Sequence, residues 1–305
     1  MSIVKNCLIV GGTSGVGEAL AEQLSRKYPD AKVIIAGRNQ VKGEDICSRA
    51  ANHNVAFAQL DAVRLSNVKQ FCKALASPAG GIDVLIMSQG ILTTQGRTVI
   101  DRTENLDQKM ALHYYSRMGL VRELLEADKL SNNAVIVSVL DGVRSNANST
   151  SIDYDDLGLE RAYSISKCAA HCLHLTDVVF DHWASQDAHK GKTFIHAYPG
   201  FVQTNLTVNS PHLPWGMSTL SSVLGKLFAT SADKCAQALL EGPADQSGGI
   251  LGGLRGIAAQ ATRPNRYNLD AQGSVLHKTP IKSAEKGKAI VDHTWAVLGK
   301  SSPAA

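Results

Sequence analysis

The stretch Val10-Gly11-Gly12-Thr13-Ser14-Gly15-Val16-Gly17 lies between a short apolar run, Asn6–Val10, and a segment with helical periodicity. Its glycines allow a tight turn after a strand and let backbone N–H groups approach a pyrophosphate. The helix that follows adds the partial positive charge of its N-terminus at the same place. The position of the stretch therefore predicts a dinucleotide-binding loop, with expected contacts from Gly11, Thr13, Ser14, Gly15, Val16 and Gly17.

Apolar runs of strand length alternate with helix-period segments along the first two hundred residues. The predicted strands are Asn6–Val10, Lys32–Ala36, Ala56–Gln59, Val84–Met87, Ala134–Val139 and Thr193–Ala197. The predicted helices are Val16–Lys27, Gly43–Ala51, Leu65–Leu75, Leu106–Ala127 and Arg161–Ser185. Buried strands joined by crossover helices are typical of a parallel sheet covered on both faces. We therefore predict an α/β fold with a Rossmann-type, doubly wound parallel sheet.

The chain changes character after its sixth predicted strand. Residues 205–230 are rich in Pro, Ser and large apolar side chains such as Leu213 and Trp215. Because they follow Thr204 directly, we expect them to form a lid over a bulky, lipophilic small-molecule substrate. A surface helix packed on the core is the alternative.

Three further segments complete the chain. Ser231–Leu240 predicts a helix with a serine N-cap. The glycine-rich, apolar segment Gly248–Ala261 predicts a last strand that closes the sheet, and Ser283–Leu298 predicts an amphipathic helix in a C-terminal tail, residues 283–305. Because no long linker or repeat interrupts the sequence, we expect a single domain over residues 1–305.

Composition argues against several classes of protein. The 305 residues carry a formal net charge of +4 without a run of basic residues, so we expect no nucleic-acid partner. The six cysteines lack the paired spacing of secreted proteins, which favours a reducing, cytoplasmic location. The apolar run Cys7–Val10 is too short for a signal-peptide core or a membrane span. Since one helix face rarely supplies four tetrahedral ligands, we expect helix packing and no metal site from Cys168, His171, Cys172 and His174.

The end of the second predicted strand indicates which cofactor is bound. NAD-binding folds usually present Asp or Glu there to the ribose hydroxyls, whereas this chain has Arg38 and Asn39. A guanidinium can form charge-assisted hydrogen bonds with a 2′-phosphate, so NADP(H) is favoured over NAD(H), with expected contacts from Arg38 and Asn39. Asp61, after the third strand, is positioned to accept a hydrogen bond from the adenine amine; a helix N-terminal acid is the alternative.

Tyr163 and Lys167 are the candidate acid–base pair. A spacing of four residues places them on one face of the predicted helix Arg161–Ser185, one turn apart. A free phenol has a pKa near ~10, and an adjacent ammonium lowers that pKa by favouring phenolate. Tyr163 is therefore expected to exchange a proton with a carbonyl or alcohol oxygen. A solvated Tyr and Lys on an amphipathic helix are the alternative.

The chain resembles the short-chain dehydrogenase/reductases from roughly Ile3 to Leu240. The glycine-rich stretch is similar to the family's Thr-Gly-x-x-x-Gly-x-Gly, with Val10 in place of the threonine, and Tyr163 and Lys167 match the family's catalytic pair. Arg38 resembles the signature of NADP-preferring members, and Asp61 resembles the adenine-contacting aspartate. The resemblance implies that both members of the catalytic pair also contact the cofactor.

Other segments extend the resemblance. Residues 199–204 match the family's Pro-Gly-x-x-x-Thr, which implies contacts with the nicotinamide end of the cofactor from Pro199, Gly200, Val202 and Thr204. The connection between Val139 and Tyr163 looks more like the retinol-dehydrogenase and protochlorophyllide-reductase branch. Residues 196–200 and 213–215 look similar to fungal natural-product reductases. The family also suggests a homo-oligomer associated through the two long helices, Leu106–Ala127 and Arg161–Ser185.

Three positions depart from the family pattern. The usual Asn-Asn-Ala-Gly is Met87-Ser88-Gln89-Gly90, in which Ser88 and Gly90 are expected to keep cofactor contacts. His113 aligns with the asparagine of the proton relay. A gap-free alignment puts Val139 at the position of the catalytic serine. Ser138 is the candidate replacement if the strand end shifts by one residue, although adjacent strand residues face opposite sides.

Three functions remain open on the sequence. The first is an NADP(H)-dependent reductase or dehydrogenase that interconverts a carbonyl and an alcohol on a lipophilic molecule, with a role in secondary metabolism. The second is a non-redox dehydratase, isomerase or cyclase on the same scaffold, for which Val139 and His113 argue. The third is an NADP(H)-binding sensor without catalysis, in which an intact Tyr163–Lys167 pair has no obvious purpose.

Overall fold

A single eight-stranded sheet organises the chain. The computed structural model describes residues 4–50, 53–202, 230–243, 248–254 and 265–300. The strand order is β3-β2-β1-β4-β5-β6-β7-β8, and every neighbouring pair is parallel except β7 with β8. The strands are β1 (Asn6–Val10), β2 (Lys32–Gly37), β3 (Val55–Gln59), β4 (Ile82–Met87), β5 (Leu130–Val139), β6 (Thr193–Ala197), β7 (Arg266–Leu269) and β8 (Val275–Leu276). This order confirms the predicted Rossmann-type fold and puts its switch point between β1 and β4.

Helices cover both faces of the sheet. Helix α4 begins with Gln108–Met110, passes through a π-helical turn, Ala111–Tyr115, and continues as Ser116–Glu126. The other helices are α1 (Gly15–Lys27), α2 (Gln40–Arg49), α3 (Leu65–Ala74), α5 (Ile165–Ala184), α6 (Ala232–Glu241), α7 (Gly249–Leu254) and α8 (Ala284–Lys300). None of the described helices is both long enough and apolar enough to cross a membrane.

Two buried clusters, one on each face of the sheet, hold the helices in place. One joins α1 and α6 to β1 and β5 through side chains such as Leu20, Leu239 and Val137. The other joins α3, α4 and α5 to the opposite face. Ile136, which is adjacent to Val137 on β5, belongs to this second cluster. Because side chains alternate along a strand, Ser138 lies on the α4–α5 face and Val139 on the α1–α6 face.

The C-terminal helix α8 packs on α4 and α5. The Tyr114 hydroxyl lies 2.6 Å from Thr294 Oγ1, and the Tyr115 hydroxyl lies 2.7 Å from His293 Nε2. The rings of Trp183 and Trp295 are 5.5 Å apart. These contacts place the predicted tail helix against the two longest helices of the fold.

The structure corrects the predicted strand at Gly248–Ala261. Gly249–Leu254 is the helix α7, residues 255–264 lie outside the described residues, and the strand that extends the parallel sheet is β7. Ile250 and Leu251 reach the core from one turn of helix, and a short apolar run does not reveal which of the two structures buries it. The polar sequence Arg-Tyr-Asn-Leu of β7 carried no strand signal.

The fifth predicted helix begins later than expected. It starts at Ile165 instead of Arg161, with Ser164 as N-cap accepting a hydrogen bond from the Lys167 backbone N–H at 3.2 Å. Tyr163 therefore precedes the helix. The predicted lid, residues 205–230, lies outside the described residues except for Thr230.

Candidate active site

A cavity of about 440 Å³ opens beside the carboxyl ends of β1, β4 and β5. Ligands of open α/β sheets bind at this place, outside the strand ends at the switch point. Ten of the residues predicted to bind a cofactor line the cavity: Gly11, Thr13, Ser14, Gly15, Val16, Gly17, Arg38, Ser88, Gly90 and Pro199.

Close backbone approach explains the glycines of the loop. Gly11 has a φ of +85°, which favours glycine, and its N–H donates to the Ala36 carbonyl at 2.8 Å. A Cβ on Gly17 would lie 2.4 Å from both the Gly11 carbonyl oxygen and Ser88 Oγ. The loop thus leaves backbone N–H groups and the start of α1 at the cavity wall. This cradle fits the pyrophosphate of a dinucleotide.

The predicted adenosine-end residues separate in the structure. Arg38 is exposed and lines the cavity. Asn39 instead caps α2, where its side-chain oxygen accepts the Lys42 N–H at 3.0 Å. Asp61 accepts the Val63 N–H at 3.3 Å and lines a neighbouring cavity of about 860 Å³, which Arg38 also borders.

At the end of β4, Ser88 and His113 take up defined contacts. Ser88 Oγ donates to the Val10 carbonyl at 3.2 Å, which ties β4 to β1. His113 Nε2 accepts the Ile91 N–H at 3.0 Å, beside Gly90. Burial, followed by the nearby Arg117 cation, lowers the pKa of His113 to about 3. His113 is therefore neutral at physiological pH, and its proton is on Nδ1.

The end of β5 presents Val139 to the cavity. Ser138 is fully buried on the other face, where its Oγ accepts a hydrogen bond from Arg117 Nη1 at 2.8 Å. The end of β5 is not shifted by one residue, because Ser138 pairs in register with Met87 of β4 and His196 of β6. Ser138 therefore does not take the position of Val139. An apolar side chain thus occupies the place that the resemblance gives to a hydroxyl.

Tyr163 and Lys167 lie outside the cavity lining. The Tyr163 hydroxyl donates to Asp107 Oδ1 at 3.3 Å, and the Lys109 ammonium lies 5.3 Å from the centre of its ring. Lys167 Nζ forms an ion pair with Asp153 at 3.1 Å. Burial, together with contacts to Cys168 and Asp107, raises the pKa of Tyr163. This direction is opposite to the one expected from the sequence. Burial disfavours the phenolate, the hydroxyl donates a hydrogen bond to the Asp107 carboxylate, and Lys167 pairs with Asp153.

The segment after β6 contributes one lining residue. Pro199 borders the cavity, while Gly200 turns the chain with a φ of +74°. Val202 forms an isolated parallel bridge with Thr230. Thr204 lies outside the described residues.

Several lining residues were not predicted from the sequence. They include Gln89, Arg117 and an apolar set, Ile91, Leu92, Leu112 and Leu140. One feature of the sequence could have indicated Arg117. It follows His113 by four residues, so both side chains lie on the same face of the predicted helix.

The cysteine and histidine cluster of α5 packs against its neighbours. Cys168 Sγ lies 3.7 Å from Asp107 Oδ1, and Cys172 Sγ lies 3.6 Å from the sulfur of Met110. His171 and His174 accept backbone N–H groups of Asp153 and Asn146. Across the described part of the chain, no group of three or more His, Cys, Asp or Glu residues is arranged to hold a metal ion.

Comparison with known proteins gives a consistent match. A family model described as short chain dehydrogenase matches residues 5–212. The oxidoreductase AN1596 of Emericella nidulans is 31% identical over 71% of this chain, and bovine dehydrogenase/reductase SDR family member 13 is 29% identical over 69% of it. The matches span 63% and 54% of the lengths of these two relatives, less than two thirds of each.

Solved structures share the fold. A short-chain dehydrogenase/reductase from Saccharomyces cerevisiae has a TM-score of 0.59 and 17% identity, covering 88% of this chain and 96% of that one. The NADPH-bound carbonyl reductase from chicken fatty liver has a TM-score of 0.56 and 16% identity, covering 90% and 98%. At these identities the likeness bears on the fold alone.

Proposed function

Because the chain belongs to the short-chain dehydrogenase family, a family of oxidoreductases, we propose that it is an NADP(H)-dependent enzyme that interconverts a carbonyl and an alcohol on a lipophilic small molecule. The observation that carries this proposal is the cavity at the switch point of the sheet. Both the glycine-rich loop and a set of apolar side chains border it. A role in secondary metabolism, expected from the resemblance to fungal reductases, stays a prediction.

Arg38 supports the choice of NADP(H). It is the exposed cation at the cavity edge, and the end of β2 reads Ala36-Gly37-Arg38-Asn39 without a carboxylate. An Asp or Glu there would repel a 2′-phosphate, whereas a guanidinium binds it through charge-assisted hydrogen bonds. The glycine-rich loop and the start of α1 would hold the pyrophosphate, and Arg38 the phosphate on the adenosine ribose.

The apolar wall supports a lipophilic substrate. The apolar wall of the cavity comes from the ends of β4 and β5 and from α4, through Ile91, Leu112, Val139 and Leu140. Apolar walls with few polar groups bind ligands by excluding water and fix their orientation through those few groups. Here the polar groups of the wall come from Gln89, His113 and Arg117.

Tyr163 is the proposed proton donor to the carbonyl oxygen. When bound, the nicotinamide cofactor supplies the hydride or accepts it in the reverse direction. The raised pKa of Tyr163 keeps its hydroxyl protonated but also makes it a weak acid, so catalysis requires a nearby positive charge, from Lys167 or the oxidised nicotinamide, to lower that pKa. To act on a substrate in the cavity, the hydroxyl must exchange its hydrogen bond with Asp107 for one with the substrate, and Lys167 must exchange Asp153 for the cofactor.

The test is NADPH oxidation by the full chain with a panel of lipophilic aldehydes and ketones. We expect turnover with at least one carbonyl and a loss on the order of 10²–10⁴-fold in Tyr163→Phe, because the general acid is removed. NADPH titration of the same variant separates lost chemistry from lost binding. No turnover with any carbonyl, or full activity in Tyr163→Phe, contradicts the proposal.

A second candidate is an NADP(H)-binding protein without catalysis. The observation that favours it is the pairing of Tyr163 with Asp107 and of Lys167 with Asp153, both away from the cavity lining. This candidate predicts tight NADPH binding, no oxidation of NADPH with any carbonyl, and equal binding by wild type and Tyr163→Phe.

A further inference from the structure

Arg117 places a buried cation at the wall of the cavity. Its side chain is only 1% exposed, yet it borders the cavity together with His113 and Val139. It lies on α4, one turn after His113. A guanidinium removed from water normally needs a carboxylate or phosphate to compensate for the lost hydration.

The hydrogen-bond partners of Arg117 are all neutral. Nη1 donates to Ser138 Oγ and to the Val139 carbonyl, both at 2.8 Å. Nη2 donates to the Gln89 carbonyl at 2.6 Å, and Nε donates to the Leu112 carbonyl at 3.4 Å. In the described parts of the chain, no carboxylate lies within ion-pair distance of this guanidinium.

Asp107, the buried acid that caps the start of α4, already has its own partners. Asp107 is fully buried, forms an ion pair with Lys109 at 3.4 Å and accepts backbone N–H groups at the start of α4. It also receives the Tyr163 hydroxyl. Asp107 therefore leaves the charge of Arg117 uncompensated.

The number of its hydrogen bonds shows that Arg117 has one N–H group without an acceptor among the described residues. A guanidinium carries five N–H groups, one on Nε and two on each Nη. Four of them are accounted for by the contacts above, so one N–H of Nη2 remains. Because the residue borders the cavity, a ligand there can accept this hydrogen bond, and the apolar surroundings strengthen its attraction for an anion.

We propose that Arg117 binds an anionic oxygen of the substrate, so that the substrates are acidic carbonyl compounds whose charge resides on a carboxylate or an enolate. The oxygen would accept its hydrogen bond from Nη2, next to the Gln89 carbonyl. Arg117 would thus supply a positive charge to a site in which the resemblance places a neutral hydroxyl, at position 139. This inference deepens the proposed function, since both place a substrate in the same cavity, but its test requires no turnover.

The experiment compares two matched pairs of probes by calorimetry, with the full chain saturated with NADP⁺ at pH 8. One pair is 3-phenylpropanoate and 3-phenylpropanamide, which tests a carboxylate. The other is the dimedone anion and 3,3-dimethylcyclohexanone, which tests an enolate. We expect at least one anion to bind about tenfold more tightly than its neutral partner, because a charge-assisted hydrogen bond exceeds a neutral one by this order. The pair that shows the preference identifies the anionic group.

Variants assign the preference to Arg117. In Arg117→Met the anion should lose its advantage while the neutral partner binds as before. Arg117→Lys should retain part of the preference, because it keeps the charge without the forked geometry. The matched control is Ser138→Ala, which removes one acceptor of Arg117 and leaves its charge, and should keep the preference.

Three outcomes would overturn the proposal. One is equal binding of anion and neutral partner, or no binding of any probe at millimolar concentration. Another is an anion preference that survives in Arg117→Met. The third is a matching loss of NADP⁺ affinity in that variant, which would make the cofactor the counter-ion. If Arg117→Met does not fold, the test rests on the anion preference of the wild type and on whether Arg117→Lys retains only part of it. Failure of NADPH oxidation alone would contradict the proposed function and leave this result standing.

Discussion

The candidate site has a cofactor end, the glycine-rich loop, and a catalytic end, Tyr163 and Lys167. Both match family motifs, but only the cofactor end borders the cavity. At the glycine-rich end, every residue from Gly11 to Gly17 that was expected to contact the cofactor borders the cavity. At the catalytic end, Tyr163 and Lys167 match the family motif, yet their polar atoms bind Asp107 and Asp153. The cofactor end is formed by backbone, and the catalytic end by side chains.

This difference shows what a local motif can specify. The cofactor loop depends on the absence of side chains, so its requirement is complete within a few consecutive residues. The position of a catalytic side chain depends on partners that come from elsewhere in the chain. Asp107 is 56 residues from Tyr163, and nothing in the Tyr-x-x-x-Lys spacing signals it.

The largest expected effect on cofactor binding lies at the backbone end. Gly17→Ala places a methyl group 2.4 Å from the Gly11 carbonyl oxygen and Ser88 Oγ, so the loop must move. We expect the Kd for NADPH, measured by fluorescence titration, to rise about 100-fold, since overpacking costs about 1–3 kcal/mol. The matched control is Gly96→Ala, where a Cβ meets no atom within 4 Å. If Gly17→Ala binds NADPH like Gly96→Ala, the loop does not hold the cofactor.

An intermediate effect is expected from Arg38. Arg38→Ala removes the cation from the cavity edge, and we expect the Kd for NADPH to rise about 30-fold while the Kd for NADH changes little. Titrating both cofactors against the variant gives the ratio directly. Arg102→Ala serves as the control, because Arg102 is exposed and does not border the cavity. A parallel loss for both cofactors would show that Arg38 does not read the 2′-phosphate.

The smallest effect concerns stability at the catalytic end. The pKa of His113 falls from 6.5 to about 3 on folding, so the unfolded chain binds the proton first as the pH drops. The stability that His113 contributes is complete above pH 6.5 and declines below it. Between pH 7.5 and 5.5 the wild type should lose about 1 kcal/mol that His113→Gln retains, because Gln keeps an acceptor for the Ile91 N–H without titrating.

Urea unfolding at the two pH values measures this difference. His277→Gln, at an exposed position, is the control and should follow the wild type. An identical pH dependence in His113→Gln and wild type would mean that His113 titrates normally, and the neutral tautomer assigned at the cavity would be wrong.

How far the sequence could predict the structure depended on the kind of residue involved. The alternation of apolar runs and helical segments gave the sheet and its first six strands, because burial on both faces demands that pattern. It missed β7, since Arg266 and Asn268 are buried through polar contacts: Arg266 pairs with Asp181 and Asn268 binds the Gly142 carbonyl. A strand that buries polar side chains against charged and polar partners has no apolar signature.

In the candidate site, too, some residues could be predicted from the sequence and others could not. Arg38 and the glycines followed from the sequence, because each needs only its position beside a strand end. Arg117 did not, since its neutral acceptors come from the ends of β4 and β5, which meet only in the folded sheet. Parity along β5 did indicate that Ser138 and Val139 face opposite sides, and the structure has Val139 at the cavity.

The position of α8 limits how two copies of the chain can meet. Its Thr294 and Trp295 already pair with Tyr114 of α4 and Trp183 of α5. A second copy could reach these side chains of the two long helices only by displacing the C-terminal helix of the first. Any dimer formed through this surface would therefore be coupled to the docking of α8, and its assembly would compete with an intramolecular contact whose effective concentration is always high.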